Sequence, residues 1–180
     1  MMKRVMILPL ALGLALTACG KKGDDGPGKD WSGKALDVTV ENKVNNVAFK
    51  VQLPKGMKFD GDDDGPEVIT KMWKADVHDY FSEPSVMISY EAIPATDIDG
   101  FVKDAMLDDK DVIAKQEKTA DGFVLVTHTK NNGIVAVEVM KVKGDAHLVC
   151  RASQAKDGGV PSPDKTMAWL EQLCSSLTIQ

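Results

Sequence analysis

Histidine, cysteine and tyrosine are scarce in this chain, with three, three and two residues among 180. Three histidines, at 78, 128 and 147, fall at no metal-ligand spacing. His78 has Asp76 and Asp79 beside it, but surface or satisfied roles explain all three histidines better than a transition-metal site. G-x-S-x-G, H-E-x-x-H, P-loop and dinucleotide fingerprints are absent, so no common catalytic constellation is written in the chain. A basic excess is absent too: 22 lysines and arginines face 27 acids, and no basic cluster interrupts that balance. Nucleic-acid affinity rests on phosphate neutralisation, so nucleic acid is excluded as a partner. The longest apolar run, Val5–Leu16, is shorter than the about 20 residues of a membrane-spanning helix.

That run has a different use. It follows Lys3 and Arg4, contains only Pro9 and Gly13 as interruptions, and leads to Leu16-Thr17-Ala18-Cys19-Gly20. A basic start followed by a short apolar stretch is a secretory signal. Its end resembles the bacterial lipobox. The resemblance implies diacylglycerol on the Cys19 thiol, removal of residues 1–18 and an acylated new terminus. Several acyl chains hold stably to a bilayer where one chain holds only marginally. Gly20, in place of the aspartate that favours inner-membrane retention in such proteins, points to the periplasmic face of the outer membrane. Without residues 1–18 the balance is 20 basic to 27 acidic residues over 162 positions, enough for one domain with a real core.

With Cys19 assigned to the anchor, Cys150 and Cys174 remain as a pair in an oxidising compartment. Their disulfide is expected to contribute about 3 kcal/mol. Neither stands beside a glycine-rich turn or a helix N-terminus, which argues against a Cys–His nucleophile. Residues 19–33 are rich in glycine and charge and read as a lipidated flexible tether. Residues 34–180 read as a single domain.

Within it, period-two alternation predicts strands around Leu36–Val40, Val47–Leu53, Val68–Lys74, Val86–Ala92, Val112–Lys118, Phe123–Thr129, Ile134–Val142 and His147–Ser153. Asn45-Asn46, Asp121-Gly122, Asn131-Asn132-Gly133 and Gly144-Asp145 sit at the breaks and suit turns. Helical spacing predicts one helix from Asp97 to near Asp109 and a second opened by Ser162 as N-cap and Pro163. Met167, Leu170, Cys174 and Leu177 share a face of that helix, and Leu148, Cys150 and Ala152 share a face of the preceding strand. The helix packed across the strand would bring the two cysteines together. The sum is an α+β domain with an antiparallel sheet of about six or seven strands.

The early strand and turn, AFKVQLPKGMKF, with the closing pair HLVCRAS and WLEQLCSSL, resembles the PsbP-like superfamily over residues 44–180. That group includes a Ran-binding nuclear import factor and the DcrB-type bacterial lipoproteins. The resemblance implies an αβα sandwich around a central antiparallel sheet. It implies accessory or binding roles and no shared catalysis.

One acidic loop competes for attention. Asp60, Asp62, Asp64 and Gly65 match positions 1, 3, 5 and 6 of a calcium loop. Position 12 is Lys71 instead of glutamate and position 8 is Glu67, so a solvated acidic turn accounts for the same residues. Asp24-Asp25 and Asp108-Asp109 read as solvated faces, and Trp169 as packed at the last helix. The expected function is a non-enzymatic envelope lipoprotein, held to the bilayer through Cys19 and binding an envelope protein. A small-ligand or calcium-binding module is the alternative, and no other cofactor is expected.

Overall fold

The computed structural model describes residues 30–61, 69–75 and 84–180. Cys19, Asp62, Asp64, Asp76, His78 and Asp79 lie outside the described residues. The elements are β1 (Val38–Val44), β2 (Val47–Leu53), β3 (Lys58–Phe59), β4 (Thr70–Lys74), β5 (Ser85–Tyr90), α1 (Ile98–Asp104), β6 (Asp111–Thr119), β7 (Gly122–Thr129), β8 (Ile134–Lys143), β9 (Ala146–Ala155), α2 (Pro163–Ser175) and β10 (Thr178–Ile179). The class is α+β.

A seven-stranded sheet runs β3-β4-β5-β9-β8-β7-β6, with every neighbouring pair antiparallel. The strands from β6 to β9 follow one another by hairpins, and β5 joins on the far side of β9. A separate three-stranded sheet, β1-β2-β10, stands apart from it. Sequence alternation predicts β1 and β2 but cannot tell that they leave the main sheet. Their hairpin turns on Asn45 and Asn46, both left-handed at φ 44° and 62°, which suits the twist of a two-residue loop.

Alternation in β7 and β9 divides the large sheet's side chains between two cores. Val124, Val126, Leu148, Cys150 and Ala152 join Leu170, Leu173 and Leu177 under α2, together with Phe49 and Val51 of the small sheet. Phe123, Leu125, Met140 and Val149 form the other core under α1, with Phe101. Each fully buried Leu or Val contributes about 1.5–3 kcal/mol relative to exposure. Both faces of the central strands are therefore covered.

α1 is shorter than its spacing predicts. Asp97 caps it as expected, its side chain accepting from Gly100 N at 2.8 Å. The helix stops at Asp104, and Met106 turns left-handed at φ 49°. Phe101 is the one buried residue of the helix, so little burial rewards a further turn.

At α2, Ser162 holds the N-cap position but does not cap. Its backbone is left-handed, and its hydroxyl donates instead to Asp30 Oδ2 at 3.3 Å. Pro163 follows, its missing N–H requiring no cap. This Ser162–Asp30 contact belongs to a larger correction. Composition assigns residues 30–33 to the tether, yet Trp31 is only 3 % exposed. It packs on Trp169 with centroids 6.5 Å apart, and Lys34 Nζ stands 3.1 Å above its ring. The Trp169 indole N–H donates to Lys34 O at 2.9 Å. The packed domain therefore includes Trp31, because one large ring outweighs the glycines and charges around it.

Candidate functional site

Cys150 in β9 and Cys174 in α2 are bonded, with Cα atoms 5.4 Å apart, and both are fully buried. The bond ties α2 to the middle of the large sheet and presents no reactive thiol.

Asp60 does not stand open for a cation. Its backbone N–H donates to Met72 O at 2.8 Å, and its carboxylate pairs with Lys74. Lys71, at the place of the twelfth ligand, is buried. Among the described residues, no three His, Cys, Asp or Glu side chains converge as a metal cage. Asp62 and Asp64 lie outside the described residues, so the acidic loop is tested in solution: with Asp60 paired to Lys74, millimolar calcium is expected to leave the melting temperature unchanged. A rise of several degrees in a thermal-shift titration would reinstate the acidic loop as a cation site.

His128 is half-buried, with Nδ1 2.9 Å from Thr129 O, and His147 is also half-buried. Arg151 draws three strands together on the α1 face. Its Nε donates to Glu138 at 2.9 Å, and Nη1 donates to Ser89 Oγ at 2.7 Å and Glu91 at 3.0 Å. One guanidinium thus holds two carboxylates, all partly exposed, and the group spans β5, β9 and β8 as a brace.

A concavity lies at one end of the large sheet. There the start of β6, the β7–β8 turn and the end of β9 meet around a groove of about 780 Å³. Lys110, Lys130, Lys156 and Asp157 bring its charge, and Ile134 and Ala155 its apolar wall. The turn is built to hold shape. Asn131 Oδ1 accepts from Thr129 Oγ1 at 2.9 Å and from Gly133 N at 3.1 Å. Thr129 Oγ1 in turn accepts from Ile134 N at 3.0 Å. Asn132 is left-handed at φ 54°, a conformation that Asn tolerates. Across from it, Gly158 and Gly159 at φ 83° and 107° turn the chain out of β9 in a way that other residues resist. Lys156 N donates to Gly133 O at 2.6 Å and Val160 N to Asn132 O at 2.8 Å, so the two loops form one rim.

Two carboxylates beside Lys110 accept from backbone N–H groups and keep their negative charge next to it. Asp108 Oδ1 accepts from Lys110 N at 2.6 Å, and Asp111 Oδ2 accepts from Asp108 N at 2.9 Å. Lys130 Nζ donates to Asp109 O at 3.0 Å, a neutral acceptor that leaves its charge in place. Asp30 lies close by through Ser162. Hydrogen bonds from the Ser32 hydroxyl and the Ser32 N–H hold its carboxyl below the usual range.

Sequence reading finds the Asn131-Asn132-Gly133 turn but not the groove. Its lysines are dispersed along the chain and meet only through the sheet register. The signal available was the turn itself, flanked by Lys130.

No protein-family model and no curated protein sequence matches the chain. Among solved structures, a STAR-related lipid transfer protein from Xanthomonas axonopodis aligns at 13 % identity over 68 % of this chain and 96 % of that one. Its TM-score is 0.30, too low to carry an argument. The Ran-binding protein Mog1p of Saccharomyces cerevisiae aligns over 79 % of this chain and 95 % of its own, with TM-score 0.54 and 9 % identity. At that identity the likeness is one of fold alone.

Proposed function

We propose that this chain is a bacterial lipoprotein whose α+β domain works in the cell envelope as a non-enzymatic binding or accessory module. The carrying observation is the succession of Lys3-Arg4, the apolar run and Leu16-Thr17-Ala18-Cys19. Residues 1–18 direct export, and Cys19 carries the lipid. The buried Cys150–Cys174 bond supports export, because such bonds persist in oxidising compartments. Gly20 favours the periplasmic face of the outer membrane.

The finer fold assignment is a PsbP-like αβα sandwich. One helix packed on each face of the large sheet supports it, as does the likeness to Mog1p. The partner is an envelope protein; the acidic balance disfavours nucleic acid. The reading needs no cofactor. A second reading, a small-ligand module, draws its support from the 780 Å³ groove.

Cys19→Ala is expected to abolish acyl labelling and to move the protein from the membrane to the soluble fraction. Unchanged membrane association in that variant would remove the anchor.

A further inference from the structure

We infer that Asn132 is a latent deamidation site and that the Asn131 side chain keeps it closed in the folded domain. The inference stands apart from the anchor and from any partner. Asn132-Gly133 is the kind of dipeptide in which this chemistry runs fastest, because glycine leaves its own backbone nitrogen unshielded. A base removes the Gly133 amide proton, and the nitrogen attacks Asn132 Cγ. The new N–Cγ bond closes a succinimide, the Cγ–Nδ2 bond breaks, and ammonia leaves with a proton from water. Water then adds to either ring carbonyl. Opening at Cγ gives aspartate. Opening at the main-chain carbonyl gives isoaspartate, whose backbone runs through Cβ and Cγ.

The β7–β8 turn needs both residues. Asn132 is left-handed at φ 54°, which Asn tolerates where most residues do not. At Gly133 a Cβ would stand 3.1 Å from Asn131 Oδ1 and 3.3 Å from its Nδ2, so a larger residue would push that side chain away. The fold thus keeps a labile pair, half-buried and within reach of water. The same close contact guards it. Gly133 N, the attacking atom, donates to Asn131 Oδ1 at 3.1 Å, and Thr129 Oγ1 holds that oxygen from another side at 2.9 Å. The main chain is pinned as well. Asn132 N donates to Thr129 O at 2.8 Å, Val160 N to Asn132 O at 2.8 Å, and Lys156 N to Gly133 O at 2.6 Å. To attack, the Gly133 nitrogen must give up its acceptor and its peptide must swing toward Cγ, which these bonds oppose. Deamidation therefore waits for the rim to open locally, and its rate follows the population of the open form. Aspartate at 132 would add a charge to the groove rim. Isoaspartate would take the Asn132 carbonyl, which receives Val160 N, out of the main chain.

The test incubates the purified protein in mildly alkaline buffer, either folded or in guanidinium chloride. Deamidation at Asn132 is followed by peptide mass mapping, with enzymatic methylation to count isoaspartate. The denatured rate divided by the folded rate is the protection of the site. Taking the ratio within each variant cancels any effect of the substitution on the intrinsic chemistry. The wild-type site is expected to be protected at least about tenfold. Asn131→Ala, with a melting curve that shows a folded domain, is expected to lose about fivefold of that protection, the equilibrium worth of one hydrogen bond. Asn131→Asp, whose carboxylate still accepts from Gly133 N, is expected to keep it. Where Asn131→Ala does not fold, Thr129→Val withdraws the hydroxyl that positions Asn131 Oδ1 and carries the same expectation. Equal folded and denatured rates in the wild type would overturn the proposal. So would full protection in Asn131→Ala, or an equal loss in Asn131→Ala and Asn131→Asp.

Discussion

Trp31→Ala is expected to destabilise the domain by about 4 kcal/mol, the range for emptying a large aromatic site in a core. The ring is 3 % exposed, meets Trp169 at 6.5 Å, and carries Lys34 over its face. Gly56 lies against its far edge, where even an added Cβ would stand 3.8 Å from the ring. Nothing on the rigid strands nearby can move in to fill the space, so most of the transfer and packing energy is lost. In a domain of this size the loss should lower the melting temperature by roughly 10 °C. Trp31→Phe should retain most of the packing and melt between the two. A chain beginning at residue 34 should lose at least as much as Trp31→Ala, because it lacks that side chain and also the Asp30–Ser162 bond. Wild-type melting of Trp31→Ala would mean that residues 30–33 belong to the tether after all.

Joint replacement of Cys150 and Cys174 by alanine is expected to destabilise by about 3 kcal/mol in the loop-entropy model, again roughly 10 °C in melting temperature. The bond closes a segment of sequence separation 24 that contains the β9–α2 connection and most of α2. Without it the unfolded chain gains freedom while the folded chain keeps Leu170 and Leu173 in the same core. Both sulfurs are buried, so reductant should act slowly on the folded protein and fully once it is unfolded. Denaturant melts with and without reductant, beside the double variant, separate these cases. Equal stability in all three would show that the bond adds nothing to the core.

The strands were largely legible because turn residues bound each run; buried and less buried residues alternate cleanly in β2 and β4, whereas β7 and β9 are buried on both faces and β6 has no buried residue. β6 to β9 lie within a residue or two of their alternating runs. α2 was legible at helical period, and the common face of Leu170 and Cys174 led to Cys150 across the β9 surface. What escaped depends on distant partners. β10 is two residues long, and it pairs with Lys50 and Phe49, which no local pattern announces. The split into two sheets escaped likewise, since alternation fixes a strand's faces but not its neighbours. Trp31 escaped because glycine and charge dominate its segment. The groove escaped because Lys110, Lys130 and Lys156 come together only when β6, β7 and β9 take their places. The proposed anchor is the opposite case: it is read wholly from local sequence, in residues 3–20.

The central claim, that this domain is tied to a bilayer at Cys19, is tested most directly by mass spectrometry of the N-terminal peptide of the protein purified from membranes. The expected peptide begins at Cys19 and carries the mass of its acyl groups. A peptide that retains residues 1–18, or one that contains an unmodified Cys19, would contradict it.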